Sequence, residues 1–191
     1  FRLLRERDPG HVPWNNLLGR QAFPSRDAWL DYTRTYVEEV GPVVLCNDQY
    51  DFERDGDTHE LVENVAGLAS IAREHGLPFW GIVLLVEHGR FRRVDAPMLR
   101  WQLAQWLSYG ARGIGYFTYW TPAPDPQWNW QPAMITWDGA RTPLYDTVKA
   151  LNARVRPLGE AMAGLQWLET EQAGDVPPGG TGEILVRSAQ L

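Results

Sequence analysis

Four places along the chain end an apolar run in residues able to do chemistry. The first leaves Asn15 and Asn16, the second Asn47, Asp48 and Tyr50, the third Glu87 and His88, and the fourth Tyr119 and Trp120. Carboxylates, amides, an imidazole and flat aromatic rings suit hydrolysis of a glycosidic bond. That chemistry uses one carboxyl as acid or base and a second as nucleophile or base, and it needs no cofactor. Glu87 is the candidate nucleophile and Asp48 the second catalytic candidate. The other role open to Asp48 is to hydrogen-bond neighbouring loop amides. Asn16 and His88 are expected to bind sugar hydroxyls or orient a carboxylate, and Tyr50 or Tyr119 to line a wall. Trp120 is expected to floor the subsite, because an indole face complements the apolar C–H face of a sugar ring. Trp128 and Trp130 stand in the Pro-rich loop beyond, where they extend the cleft or, with Trp137, pin the loop. The chain holds 10 Trp in 191 residues, a density that fits sugar stacking or a Trp-rich core. Trp14, Trp29, Trp101, Trp106 and Trp167 are expected to pack.

Such residues converge only if the elements behind them run in parallel. Val12–Leu18 reads as a short strand closed by Gly19. Ser25 caps a helix carrying Trp29, Leu30, Thr33, Tyr36, Val37 and Val40, which Gly41-Pro42 stops. Val43–Cys46 is a compact apolar run. Asp57 and Glu60 have capping-box spacing before Leu61, Val62, Val65, Leu68, Ala69 and Ala72. Phe79–Val86 is continuously apolar, as buried parallel strands are. Asp95 and Pro97 open the next helix, and Gly113–Tyr119 is a fourth strand. Thr142-Pro143 starts a long helix that Pro157 should kink or end. Gln166 onward changes character: Pro177–Gly180 is a linker or turn, and Glu183–Arg187 an isolated strand. Repeated strand–helix units predict an α/β fold with four parallel strands in chain order and helices on one outer face. In such folds the C-terminal strand ends share one rim, where the active site lies.

Composition removes other classes. The chain has 24 acidic and 18 basic residues and a net charge of −6, which argues against a nucleic-acid partner. The longest apolar run falls short of the ~20 residues a membrane-spanning helix needs. One cysteine leaves no disulfide framework, and the four histidines lack metal-ligand spacing, so no metal is expected. Gly110–Gly115 precedes a strand rather than following one, so it is not a dinucleotide turn.

Asn16-Leu17-Leu18, Asp48-Gln49-Tyr50, Phe79-Trp80 and above all Leu107–Pro122 together resemble the later half of bacterial TIM-barrel glycoside hydrolases. Asp138-Gly139, Thr142–Tyr145 and Leu151-Asn152 extend the likeness. The resemblance implies that residues 1–165 are strands five to eight of a (β/α)8 barrel. Residues 166–191 would then be a linker and the first strand of a β-sandwich-like domain. It also implies that an N-terminal barrel half, bearing the acid/base carboxylate, is the missing partner. The chain opens at Phe1 in what reads as the tail of a helix, Phe1–Arg7, as a fragment would. A carbohydrate substrate follows; the sequence leaves the compartment open, and that substrate class favours a secreted or periplasmic setting. The alternatives are a non-catalytic carbohydrate-binding barrel and a small α/β metabolite-binding domain.

Overall fold

Apolar residues recurring every three or four positions alternate along the chain with short continuous apolar runs, and the elements follow that alternation. The computed structural model describes residues 1–171 and 185–190. A short helix α1 (Arg2–Arg7) is followed by a 3₁₀ turn at Arg20–Ala22 and by α2 (Arg26–Val40). Then come β1 (Leu45–Asp48), α3 (Leu61–Glu74), β2 (Phe79–Leu84), α4 (Ala96–Ser108), β3 (Gly113–Phe117) and α5 (Pro143–Met162). The strands form one parallel sheet in the order β1-β2-β3. Its register sets Asp48 opposite Ile82, and Ile82 opposite Gly115.

Val12–Leu18 does not form the expected strand. It contributes one parallel bridge, Leu17 to Asn47, which still extends the chain-order arrangement by one position. Pro13 has no N–H to give a ladder, and Asn15 and Asn16 disfavour extended pairing, so the segment stays irregular.

Helices α2, α3 and α4 pack side by side, and α3 and α4 lie on β2. Their apolar stripes bury Trp29, Leu61, Val65, Leu68, Ile71, Leu99 and Trp106. Two glycines permit the approach. A Cβ on Gly67 of α3 would stand 2.4 Å from the Trp29 ring, and one on Gly81 of β2 would stand 2.1 Å from Trp106. Gly81→Ala therefore has to displace a fully buried indole. Overpacking of this kind removes about 1–3 kcal/mol of stability, readable as a lowered urea midpoint. An unchanged midpoint would show that Trp106 has room to yield.

Caps follow local chemistry in two places and not in a third. Ser25 accepts from the Ala28 amide at 3.2 Å, and Asp95 from the Met98 amide at 2.9 Å. The Asp57/Glu60 capping box is absent. The amides of Glu60 and Leu61 donate instead to the buried carboxylate of Asp51, both at 3.0 Å. Asp57 is drawn away by Arg92, whose guanidinium reaches it at 2.8 Å. Nor does Pro157 end α5, which runs on to Met162.

Past α5 the first residues read as linker form β4 (Leu165–Glu171), paired antiparallel with β5 (Leu185–Gln190). The Pro177–Gly180 turn lies outside the described residues. Of the tryptophans assigned to packing, Trp29 and Trp106 are wholly buried. Trp101 meets Phe52 and Trp167 meets Tyr109. Trp14 departs from the expectation: it is half exposed, resting against Trp80 with ring centroids 6.0 Å apart.

Candidate functional site

Alternate residues of a strand face opposite ways, and that sorts the polar groups at the end of β1. Asn47 turns toward α3, where its side chain and that of Asn64 exchange hydrogen bonds of 2.9 and 3.1 Å, fully buried. It is a helix–sheet tie rather than a rim residue. Asp48 and Tyr50 take the other face. Asn16 donates its side-chain N–H to Asp48 Oδ1 at 2.9 Å, the pairing expected of a residue that orients a carboxylate. The Tyr50 hydroxyl is buried without a hydrogen bond of proper geometry among the described residues. Burial pushes its ionisation well above the usual phenol range, and the neighbouring Asp48 charge adds to that. It is a neutral hydroxyl set beside a carboxylate.

His88 sits behind these groups in an aromatic box and is 4% exposed. It stacks on Trp130 at 4.6 Å and 23°, and Phe91 and Phe117 close in at 5.2 and 5.4 Å. Tyr50 joins the same box through Phe91 at 5.2 Å. The Val86 carbonyl accepts from Nδ1 at 2.8 Å, which assigns the proton to that nitrogen and leaves Nε2 with the lone pair. Burial lowers the imidazole's affinity for a second proton, outweighing the opposite pull of the Val86 carbonyl and of Asp48. His88 is thus a neutral acceptor, suited to a hydroxyl group.

Glu87 is differently placed. It lies five residues past Ile82, the residue level with Asp48, and outside β2. Arg54 holds its carboxylate at 2.8 Å. The pair belongs to a clip between the loops after β1 and β2, in which Arg90 meets Glu53 at 3.1 Å and Arg92 meets Asp57 at 2.8 Å. Backbone bonds from Arg54 to Arg90 and from Arg92 to Phe52 run between the same loops. The structure brings Asp48, Asn16, Tyr50 and His88 together, and gives Glu87 a partner none of them shares.

The aromatic loop divides in two. Trp130 is tucked against His88, while Trp128 stacks on Trp130 at 5.8 Å and is 43% exposed. The Gly89 amide donates to the Trp128 carbonyl at 2.6 Å and pins the loop there. Trp128 thus joins a pinned backbone to an open ring face, while Trp130 turns inward onto His88. Tyr119 and Trp120 are both about half exposed. Trp120 bridges to Ile135 and lies over Gly139, with no ring contact to the His88 box among the described residues. Thr121 gathers this loop: its hydroxyl donates to the Ile135 carbonyl at 2.6 Å and accepts from the Ala133 amide at 2.9 Å.

Asp51, Arg54, Phe91 and Phe117 support the site and were not singled out in the sequence. Asp51 sat in an Asp/Gly-rich loop with no spacing signal, because its partners at 58–61 come near only when that loop folds. Cys46 is buried inside β1, and burial pushes its thiol up to about 12, the inert setting of a packed cysteine. An apolar cavity of about 410 Å3 beside Gly110, Arg112 and Trp167 lies at the opposite, N-terminal end of β3, away from the polar rim.

No family model and no curated protein sequence matches the chain. Solved structures do. A candidate alpha-L-fucosidase from Bacteroides thetaiotaomicron superposes with a TM-score of 0.55 at 11% identity, over 81% of this chain and 49% of that one. A beta-galactosidase from the psychrophilic Marinomonas ef1 gives 0.50 at 17% identity, over 85% of this chain and 26% of that one. The chain thus spans about half the length of one neighbour and a quarter of the other. Both neighbours are glycoside hydrolases, and at these identities the likeness is one of fold.

Proposed function

We propose that the chain is the C-terminal half of a (β/α)8 barrel and forms part of the catalytic rim of a glycoside hydrolase. The substrate is an oligo- or polysaccharide, cleaved with two carboxylates. The observation that carries this reading is the cluster at the end of β1, where Asp48 is oriented by Asn16 beside the neutral hydroxyl of Tyr50. His88 stands behind it on an indole platform. In this reading Asp48 contacts the sugar, and the lone pair at His88 Nε2 accepts from a ring hydroxyl. Glu87 is the nucleophile candidate, held in orientation by Arg54. The acid/base carboxylate comes from the other barrel half. The likeness in fold to two glycosidases supports the class of reaction.

The test is an assay of the full-length protein on a panel of aryl glycosides and oligosaccharides. Release of reducing sugar is expected, and its loss in Asp48→Asn would tie it to this rim. The capture of Glu87 by Arg54 favours a second reading, a barrel that binds saccharide without cleaving it. Sugar binding with no turnover on any member of the panel would select that reading.

Trp128 offers a separate check. An exposed indole backed by Trp130 is a stacking platform, and losing such a face costs about 1–3 kcal/mol of aromatic contact and burial. Trp128→Ala should therefore weaken oligosaccharide binding about fivefold or more, with the change seen first in long ligands. Equal affinity in the variant, read by titration calorimetry, would assign Trp128 to holding the loop.

A further inference from the structure

A cavity of about 790 Å3 opens between the loops that follow β2 and β3, against the first turns of α4 and α5. That volume lies in the range of small-ligand sites. Its walls carry Arg92, Arg93 and Arg141, together with the carboxylates of Glu87 and Asp95. Glu87 is paired with Arg54 at 2.8 Å, while Asp95 accepts from the neutral Met98 amide at 2.9 Å and keeps its charge, so the lining sets three guanidinium groups against two carboxylates. Arg92 is engaged too, by Asp57 at 2.8 Å. Arg93 and Arg141 have no carboxylate partner among the described residues. The Arg141 guanidinium lies 4.4 Å over the Tyr145 ring. Stacking of that kind holds the plane still while its N–H edge stays free to donate. Surplus positive charge in one cavity stands out in a chain whose net charge is −6.

We propose that this cavity is a subsite for an anionic group on the saccharide, a carboxylate or a sulfate ester, gripped by Arg93 and Arg141. The inference rests on the reading of the rim as a saccharide site, which shares Glu87 with the cavity. Two arginine forks match the paired oxygens of a carboxylate or sulfate, and such charge-assisted bonds are roughly twice as strong as neutral ones. A neutral sugar in the same place leaves both guanidinium groups without a counter-charge. The full-length protein therefore belongs with acidic polysaccharides rather than neutral ones.

The experiment titrates the full-length protein with glucuronic acid, glucose 6-sulfate and glucose, for wild type, Arg93→Gln and the Arg93→Gln/Arg141→Gln double variant. Both arginines are exposed, and thermal melts check that the variants fold. The acids should bind about tenfold or more tighter than glucose. The single variant should lose part of that preference and the double variant all of it, with glucose affinity unchanged. Raising salt should narrow the gap in wild type and the smaller gap in the single variant, and leave the double variant unchanged. A response to glucuronic acid alone identifies the anion as a carboxylate, and a response to the sulfate alone as a sulfate ester. Equal affinity for glucose and both acids, or an acid preference that survives the double variant, overturns the proposal. Cleavage of a neutral oligosaccharide without acid preference would sink this subsite and leave the glycosidase reading standing. Arginine-dependent acid binding without turnover on any saccharide would do the reverse.

Discussion

Asp48→Asn in the full-length protein should lower kcat on its saccharide substrate by about 10²–10³-fold, the range for loss of one preorganised electrostatic contact to the transition state. The structural grounds are direct. Asp48 ends β1 on the face opposite the Asn47–Asn64 tie, and Asn16 holds one of its oxygens at 2.9 Å. Replacing carboxylate by amide keeps the shape and removes the charge. Folding should be nearly unaffected, so the melting temperature serves as the control. Glu87→Gln is the informative companion. It breaks an ion pair with Arg54 whose side chains are 42% and 21% exposed, and partly solvated pairs contribute only about 0–1 kcal/mol. If Glu87 is the nucleophile, its variant should lose turnover as completely as Asp48→Asn. Near-normal turnover in Glu87→Gln would reduce Glu87 to a member of the loop clip. Near-normal turnover in Asp48→Asn would remove Asp48 from the chemistry.

Asp51→Ala should cost about 2–4 kcal/mol, through loss of the cap on α3 and the stranding of backbone amides that now donate to a charged acceptor. The Asp51 carboxylate is 2% exposed and takes the amides of Glu60 and Leu61 and the hydroxyl of Thr58, each at 3.0 Å. Burial raises its pKa, and the hydrogen bonds from Leu61, Thr58, Glu60 and Gln49 lower it without cancelling that rise. The folded-state value therefore lies above the unfolded one of about 3.9. The stability this group contributes is fully present below the unfolded value and is lost as pH rises through the folded value. Asp51→Asn removes the titration and keeps one acceptor. Urea midpoints measured from acid to neutral pH should show wild type losing ground to Asp51→Asn as pH rises. A trend of the opposite sign would mean that the hydrogen bonds outweigh burial.

How far the residues announced the site depends on how locally each is determined. Ser25 and Asp95 cap their helices because the partner amide lies three residues on, within the same turn. Asp57 has the same kind of spacing, yet Arg92, remote in sequence, draws it off. The Asn16–Asp48 pair spans 32 residues and follows from strand ends meeting at one rim, as parallel repeats require. His88 could be placed near that rim. Its stack on Trp130 and its tautomer depend on a loop 42 residues away and on the Val86 carbonyl.

By itself the sequence determined the alternation of helices and strands, the parallel order, and which residue types arrive at the strand ends. Those follow from periodicity, caps and chain connectivity, which act over a few residues or one βα repeat. Tertiary structure alone decided which face each polar group takes and which partner claims it. It sent Asn47 to α3 and Asp48 to the rim, gave Glu87 to Arg54, and made Asp51 the cap of a helix that begins ten residues later. A hydrogen bond or ion pair forms with whatever group the fold brings within about 3 Å, and only packed loops set that distance.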